Sequence, residues 1–145
     1  MGFHEEVADL VSEYYRWLAD RTILREHGET VEINTPFLDR HHDGIQLFAK
    51  MDGGSIRLSD DGCTLCDLEQ TGLDLSTDRR RVMLETILRV NGVSMDGDEL
   101  YVIATAENFP ERKRDLLDAI IRVSDMRMMV TDEKWPIADD AVEPR

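Results

Sequence analysis

Residues 36–69 read PFLDRHHDGIQLFAKMDGGSIRLSDDGCTLCDLE, and the reading of this stretch decides the fold. Two short apolar runs, residues 45–49 and 55–59, are joined by Asp52-Gly53-Gly54. Those turn residues tolerate positive φ, so the segment predicts a β-hairpin. Asp60-Asp61-Gly62 closes the second run, and residues 64–70 carry the pattern of a short helix ended by Gly72. Strands joined by tight turns and followed at once by a helix belong to an antiparallel α+β arrangement.

Upstream, residues 30–37 alternate Val31, Ile33, Thr35 and Phe37 in the way of a half-buried strand, with Pro36 near its end. Before them, residues 5–24 place Val7, Leu10, Val11, Tyr14 and Leu18 on one helical face, and Gly28 breaks that pattern. Glu5 and Glu6 stand at the helix start, where the helix dipole favours negative charge. Downstream, residues 77–90 turn Met83, Leu84, Ile87 and Leu88 toward a core, and Asn91-Gly92 supplies a left-handed stop. Residues 93–95 and 99–104 flank Asp96-Gly97-Asp98 as a second hairpin. A last helix over residues 109–128 tolerates Pro110 in its first turn and carries Leu116, Leu117, Ile120, Ile121 and Val123 as a broad apolar face.

The predicted order is α-β-β-β-α-α-β-β-α. It describes a single α+β domain over residues 1–130, with an antiparallel sheet of about five strands in hairpins packed against helices. Residues 131–145, TDEKWPIADDAVEPR, are polar and acidic and are expected to form a flexible tail, with Trp135 its one large anchor.

A chain of 145 residues with 41% apolar and 33% charged residues suits one soluble globular domain. The net charge of −14 is the outlying quantity. Residues 1–75 hold 16 acids and 6 bases, a net of −10; residues 76–145 hold 15 acids and 11 bases, a net of −4. Such a surface repels nucleic-acid backbones and anionic membranes, and it attracts basic surfaces, including those that hold DNA or RNA. Simple solubility is the favoured account of this acidity, since net charge is weak evidence of partners. Glu5, Glu6, Asp9, Glu13 and Asp20 interrupt any run of signal-peptide length, and no uninterrupted apolar stretch reaches membrane-spanning length. Two cysteines and seven methionines suit a reducing cytoplasm, the expected location.

Several candidate chemistries stand in residues 36–69. Cys63-Thr64-Leu65-Cys66 has redox spacing, and a helix start lowers a thiol pKa; against this, no second pair exists for zinc, and Cys66 reads more simply as a small core residue. His41 and His42 are neighbours, which on a strand would point to opposite faces, so a polar turn is the simpler reading. Asp39-x-His41-x-Asp43-Gly44 begins like a calcium loop, but Lys50 occupies the position that needs a bidentate Glu. Asp60-Asp61-Gly62 offers paired carboxylates for acid-base or magnesium chemistry, or a turn in which Asp or Thr64 caps the following helix; the turn is favoured.

The opening order is similar to the core of restriction-type nucleases, and the second strand region offers Asp43 and Lys50. The third strand lacks the acid-x-Lys triplet that such sites need. No nucleophile elbow, phosphate loop or dinucleotide fingerprint is present, and no cofactor is implied. The basic runs Arg79-Arg80-Arg81 and Arg112-Lys113-Arg114 are diluted by neighbouring acids, so direct nucleic-acid binding is not expected.

The run Thr35-Pro36-Phe37-Leu38-Asp39-Arg40, then Asp43-Gly44-Ile45, Leu58-Ser59-Asp60-Asp61-Gly62, Thr64-Leu65 and Asp67-Leu68 resembles a bacterial and phage family, domain of unknown function 1828. Asn91-Gly92-Val93, residues 96–100 and Glu107-Asn108-Phe109-Pro110 extend the resemblance across residues 29–129. The resemblance implies an accessory protein of phages or mobile elements. The family has no agreed activity, so it supplies no catalytic residues, and the cysteines stand outside its pattern.

The expectation is therefore a non-enzymatic protein that binds another macromolecule. Its acidic face of Asp39, Asp43, Asp60, Asp61, Asp67 and Glu69 would occupy the basic nucleic-acid-binding cleft of a host defence protein, as an anti-CRISPR inhibitor that mimics DNA would. The alternatives are a metal-dependent nuclease or hydrolase built on Asp43, Asp60 and Asp61, and a self-associating structural module.

Overall fold

The computed structural model describes residues 2–129. In chain order the elements are α1 (Phe3–Asp20), β1 (Ile23–His27), β2 (Thr30–Leu38), β3 (Gly44–Asp52), β4 (Ser55–Ser59), α2 (Cys63–Gln70), α3 (Asp78–Asn91), β5 (Ser94–Asp96), β6 (Glu99–Ala104) and α4 (Phe109–Ser124), with a 3₁₀ turn at Asp125–Arg127. The expected tail, residues 131–145, lies outside the described residues.

Alternation builds the sheet. Ile45 and Leu47 on β3, Leu58 on β4, and Leu100 and Val102 on β6 are buried, while Gln46 and Ile103 between them are exposed. The strands pair antiparallel in the order β1-β2-β3-β4-β6-β5. Hence β1 to β4 form a meander, and α2 and α3 carry the chain from β4 to β5 at the far edge. Helix α4 lies against β6 and β4 and also touches α2 and α3. Its Leu116, Leu117, Ile120 and Val123 are buried at helical spacing and close the core against Leu65, Leu68, Leu84 and Leu88.

The turn at Asn91-Gly92 forms as expected. Gly92 sits at φ +67°, its N–H donates to the Arg89 carbonyl at 3.1 Å, and the Val93 N–H donates to the Leu88 carbonyl at 2.8 Å. This is the Schellman arrangement, and it puts Val93 against the core at the start of the second hairpin.

The architecture is the α+β one read from the sequence, but the sheet has six strands. The additional strand is β1, which the helical reading of residues 5–24 had partly absorbed. Helix α1 stops at Asp20, and Thr22 Oγ1 donates back to the Leu18 carbonyl at 2.7 Å. The chain then runs extended and reverses at Gly28, φ +62°, to pair with β2. All five residues of β1 are exposed, so no apolar alternation marks it as a strand. The last helix is also shorter than expected, ending at Ser124 before the 3₁₀ turn.

A second finding concerns α1. Its apolar face ordinarily signals burial against a core, yet none of its residues is buried.

Candidate functional site

The β2–β3 loop is held by one carboxylate. Asp39 Oδ1 accepts the N–H groups of His41 at 2.8 Å and Asp43 at 3.0 Å. The Asp39 N–H meanwhile donates to the Asp43 carbonyl at 2.8 Å. The oxygen that a calcium loop would aim outward is thus spent on the loop's own backbone.

The loop is then clamped to α2. Arg40 donates to both oxygens of Asp67, Nε at 2.7 Å and a terminal nitrogen at 3.2 Å, and His41 Nε2 lies 2.9 Å from Asp67 Oδ1. The Arg40 hydrogen bonds, with a smaller contribution from His41, hold the Asp67 carboxyl below the usual carboxylate range against the opposing effect of partial burial. A depressed folded-state pKa contributes stability that is present above the unfolded pKa and is lost as pH falls through the folded one. Asp67→Asn is accordingly expected to cost about 1 kcal/mol near neutrality. The gap from the native chain should narrow near pH ~3, as urea titrations of both proteins at the two pH values would show.

Asp60 plays a third role. It is 2% exposed. Oδ1 accepts from the Gly62 and Leu100 N–H groups, both at 2.9 Å, and Oδ2 accepts from the Thr64 N–H at 3.1 Å. One carboxylate, two residues before the N-cap Gly62, therefore ties the end of β4 to the first turn of α2 and to β6, a structural role of the kind that the turn reading favours. Asp61, by contrast, is exposed at φ +58°.

These elements enclose a cleft of about 790 Å³ lined by Asp39, Asp43, Asp60 and Asp67, together with His41, Cys63 and Cys66. Four of the six expected acidic residues meet there. Asp61 lines a different cleft, of about 490 Å³, and Glu69 is exposed on α2. Lys50 also lines that second cleft, so it does not join Asp43. Among the described residues no three His, Cys, Asp or Glu side chains converge where they could hold a metal ion.

The cysteines differ from expectation. Both are free and exposed, so Cys66 is not a core residue. Cys63 opens α2, but burial foremost, and then the charges of Asp60 and Asp61, push its thiol pKa up. Desolvation and carboxylates override the helix start.

The basic runs are largely spent within the fold. Arg80 is buried and donates to the Asp74 carbonyl at 2.9 Å, Arg81 pairs with Glu85 at 3.0 Å, and Arg112 pairs with Asp115 at 3.1 Å and donates to the Gly92 carbonyl at 2.8 Å.

Besides Lys50, the second cleft contains residues that were not site candidates in the sequence. Phe48, Lys50, Arg57 and Ser59 project from β3 and β4 on the face away from buried Leu47 and Leu58, with Phe48 opposite Ser59 and Lys50 opposite Arg57. Arg57 stacks 3.6 Å from the Tyr101 ring centre and pairs with Glu99. Their signal was available as the off-core members of each alternating run.

Taken together, the molecule is an antiparallel α+β domain with an Asp-rich loop clamped onto a short helix. The chain belongs to the family described as domain of unknown function DUF1828, whose model matches residues 35–123, more than half of the sequence. That span runs from within β2 into α4 and leaves α1 and β1 outside it. No curated protein and no solved structure matches the chain.

Proposed function

We propose that the protein is a non-enzymatic cytoplasmic binding module that presents carboxylates to a basic surface on another protein. In the fullest form of this reading it is an accessory protein of a phage or mobile element. It occupies the nucleic-acid-binding cleft of a host defence protein and inhibits it by mimicking a polyanion.

The observation that carries the reading is a division among the six acids. Asp39, Asp60 and Asp67 hold backbone or partner side chains within the fold. Asp43, Asp61 and Glu69 are exposed and enter no ion pair among the described residues. Unpaired carboxylates on a chain of net charge −14 raise the encounter rate with a basic partner and lower it with nucleic acid. No helix among the described residues is long and apolar enough to cross a membrane. The metal-hydrolase reading has less behind it, because Asp61 lies apart from Asp43, and all three Asp60 bonds go to backbone N–H groups.

The test is a charge change, Asp43→Lys with Glu69→Lys and Asp61→Asn, the last chosen because Asn tolerates the φ of +58° at that position, used beside the native chain as bait in extracts of the native host. The expected result is a protein with native thermal stability that no longer retains the partner held by the native chain. Retention of the same partner at low salt by both baits would sink the reading.

A further inference from the structure

The 18 residues of α1 place Phe3, Val7, Leu10, Tyr14 and Trp17 at alternating four- and three-residue spacing, the repeat of a helix that lies along another surface. Phe3 is 80% exposed, Leu10 63% and Trp17 44%. In proteins most of a helix's stability comes from packing of its apolar face rather than from propensity. Helix α1 has no side-chain hydrogen bond at its N-cap and no basic residue in its last turn to stand in for that packing.

The stripe runs at its C-terminal end into an apolar groove of about 520 Å³, where Leu18 faces Phe37, Phe109, Leu117 and Ile121. Lys113, Arg114 and Asp118 also line this groove, two cations against one carboxylate. The Lys113 ammonium is half-buried and has no carboxylate partner among the described residues. Its desolvation lowers its pKa and is relieved by an incoming carboxylate. Helix α1 carries Glu5, Glu6, Asp9, Glu13 and Asp20 against Arg16, a net of −4, with three of the acids in its first seven residues.

We infer that the groove is the seat of α1 from a second copy of this chain, the two copies exchanging helices about a two-fold axis. Each α1 leaves its own groove at Leu18 and lays its N-terminal half, with Phe3, Val7 and Leu10, into the partner's groove. Glu5, Glu6 and Asp9 then meet the partner's basic rim. The interface is isologous, since one surface carries both the stripe and the groove that receives it.

A bare antiparallel pair of α1 helices is disfavoured. Glu6, Glu13 and Asp20 recur every seven residues beside the stripe and would face one another. An aromatic side chain encloses roughly 150–250 Å² when fully buried. Phe3, Val7 and Leu10 of each helix, 80%, 38% and 63% exposed, are the side chains that seating encloses, with the apolar groove walls of both copies against them. The inference is independent of the acidic-face reading, because Asp43, Asp61 and Glu69 do not line this groove.

Sedimentation velocity of the full chain across the micromolar range tests it. The expected result is a species of twice 16.7 kDa. Leu10→Asp, on a helix outside the core, should weaken this dimer roughly thirtyfold or more. Lys113→Glu with Arg114→Glu should weaken it comparably, and adding Glu5→Lys, Glu6→Lys and Asp9→Lys to that variant should restore part of the loss. A native chain that stays monomeric throughout overturns the inference. So does a dimer that survives the Lys113/Arg114 reversal, which would place the contact elsewhere.

Discussion

Asp60→Ala is expected to destabilise the protein by about 4 kcal/mol, a large part of the roughly 5–15 kcal/mol that holds a domain of this kind together. The substitution strands three N–H groups, those of Gly62, Thr64 and Leu100, that now share one buried carboxylate. Each unmade buried bond costs about 1–3 kcal/mol, and the total is reduced because a desolvated charge is removed as well. Asp60→Asn should lose about half as much, since a carbonyl oxygen placed at Oδ1 still accepts from Gly62 and Leu100. Urea unfolding of the three proteins checks both figures. An Asp60→Ala protein as stable as the native chain would show that Asp60 is held for some purpose other than the fold.

Leu116→Ala is expected to cost about 3 kcal/mol, in the range for deleting a fully enclosed leucine. Leu116 is 0% exposed, on the helix that touches β4, β6, α2 and α3. The informative control is Leu10→Ala. Leu10 is 63% exposed, so in dilute, monomeric protein its truncation should stay within about 0.5 kcal/mol. Denaturant midpoints measured side by side should separate the two by several-fold.

That contrast shows how far the sequence was legible. The apolar patterns of α1 and α4 are of the same kind, and periodicity reports that a face is apolar without reporting what lies against it. Helix α4 has a sheet to cover, whereas α1 projects from the edge of that sheet. The hairpins at Asp52-Gly53-Gly54 and Asp96-Gly97-Asp98 were plain because their turn residues meet a local backbone requirement. Strand β1 was hidden because a strand exposed on both faces carries no alternation.

The site divides in the same way. Adjacent Asp60 and Asp61 look alike in the sequence, yet one is enclosed and the other is exposed at positive φ. The clamp of Arg40 on Asp67 spans 27 residues and has no local signature. The redox spacing of Cys63 and Cys66 was visible, but the carboxylates and partial burial that raise the Cys63 pKa are properties of the assembled cleft.

Asp39, Asp60 and Asp67 hold the fold, and the proposed display of Asp43, Asp61 and Glu69 to a partner follows from that division. The division is tested most directly by one paired measurement: thermal stability, and partner affinity as a function of salt, for two triple variants. Asp39→Asn with Asp60→Asn and Asp67→Asn should melt far below the native chain. Asp43→Lys with Glu69→Lys and Asp61→Asn should melt with the native chain but lose most of its affinity at low salt, where the native chain binds most tightly. A lysine variant that keeps native affinity at every salt concentration would contradict the account.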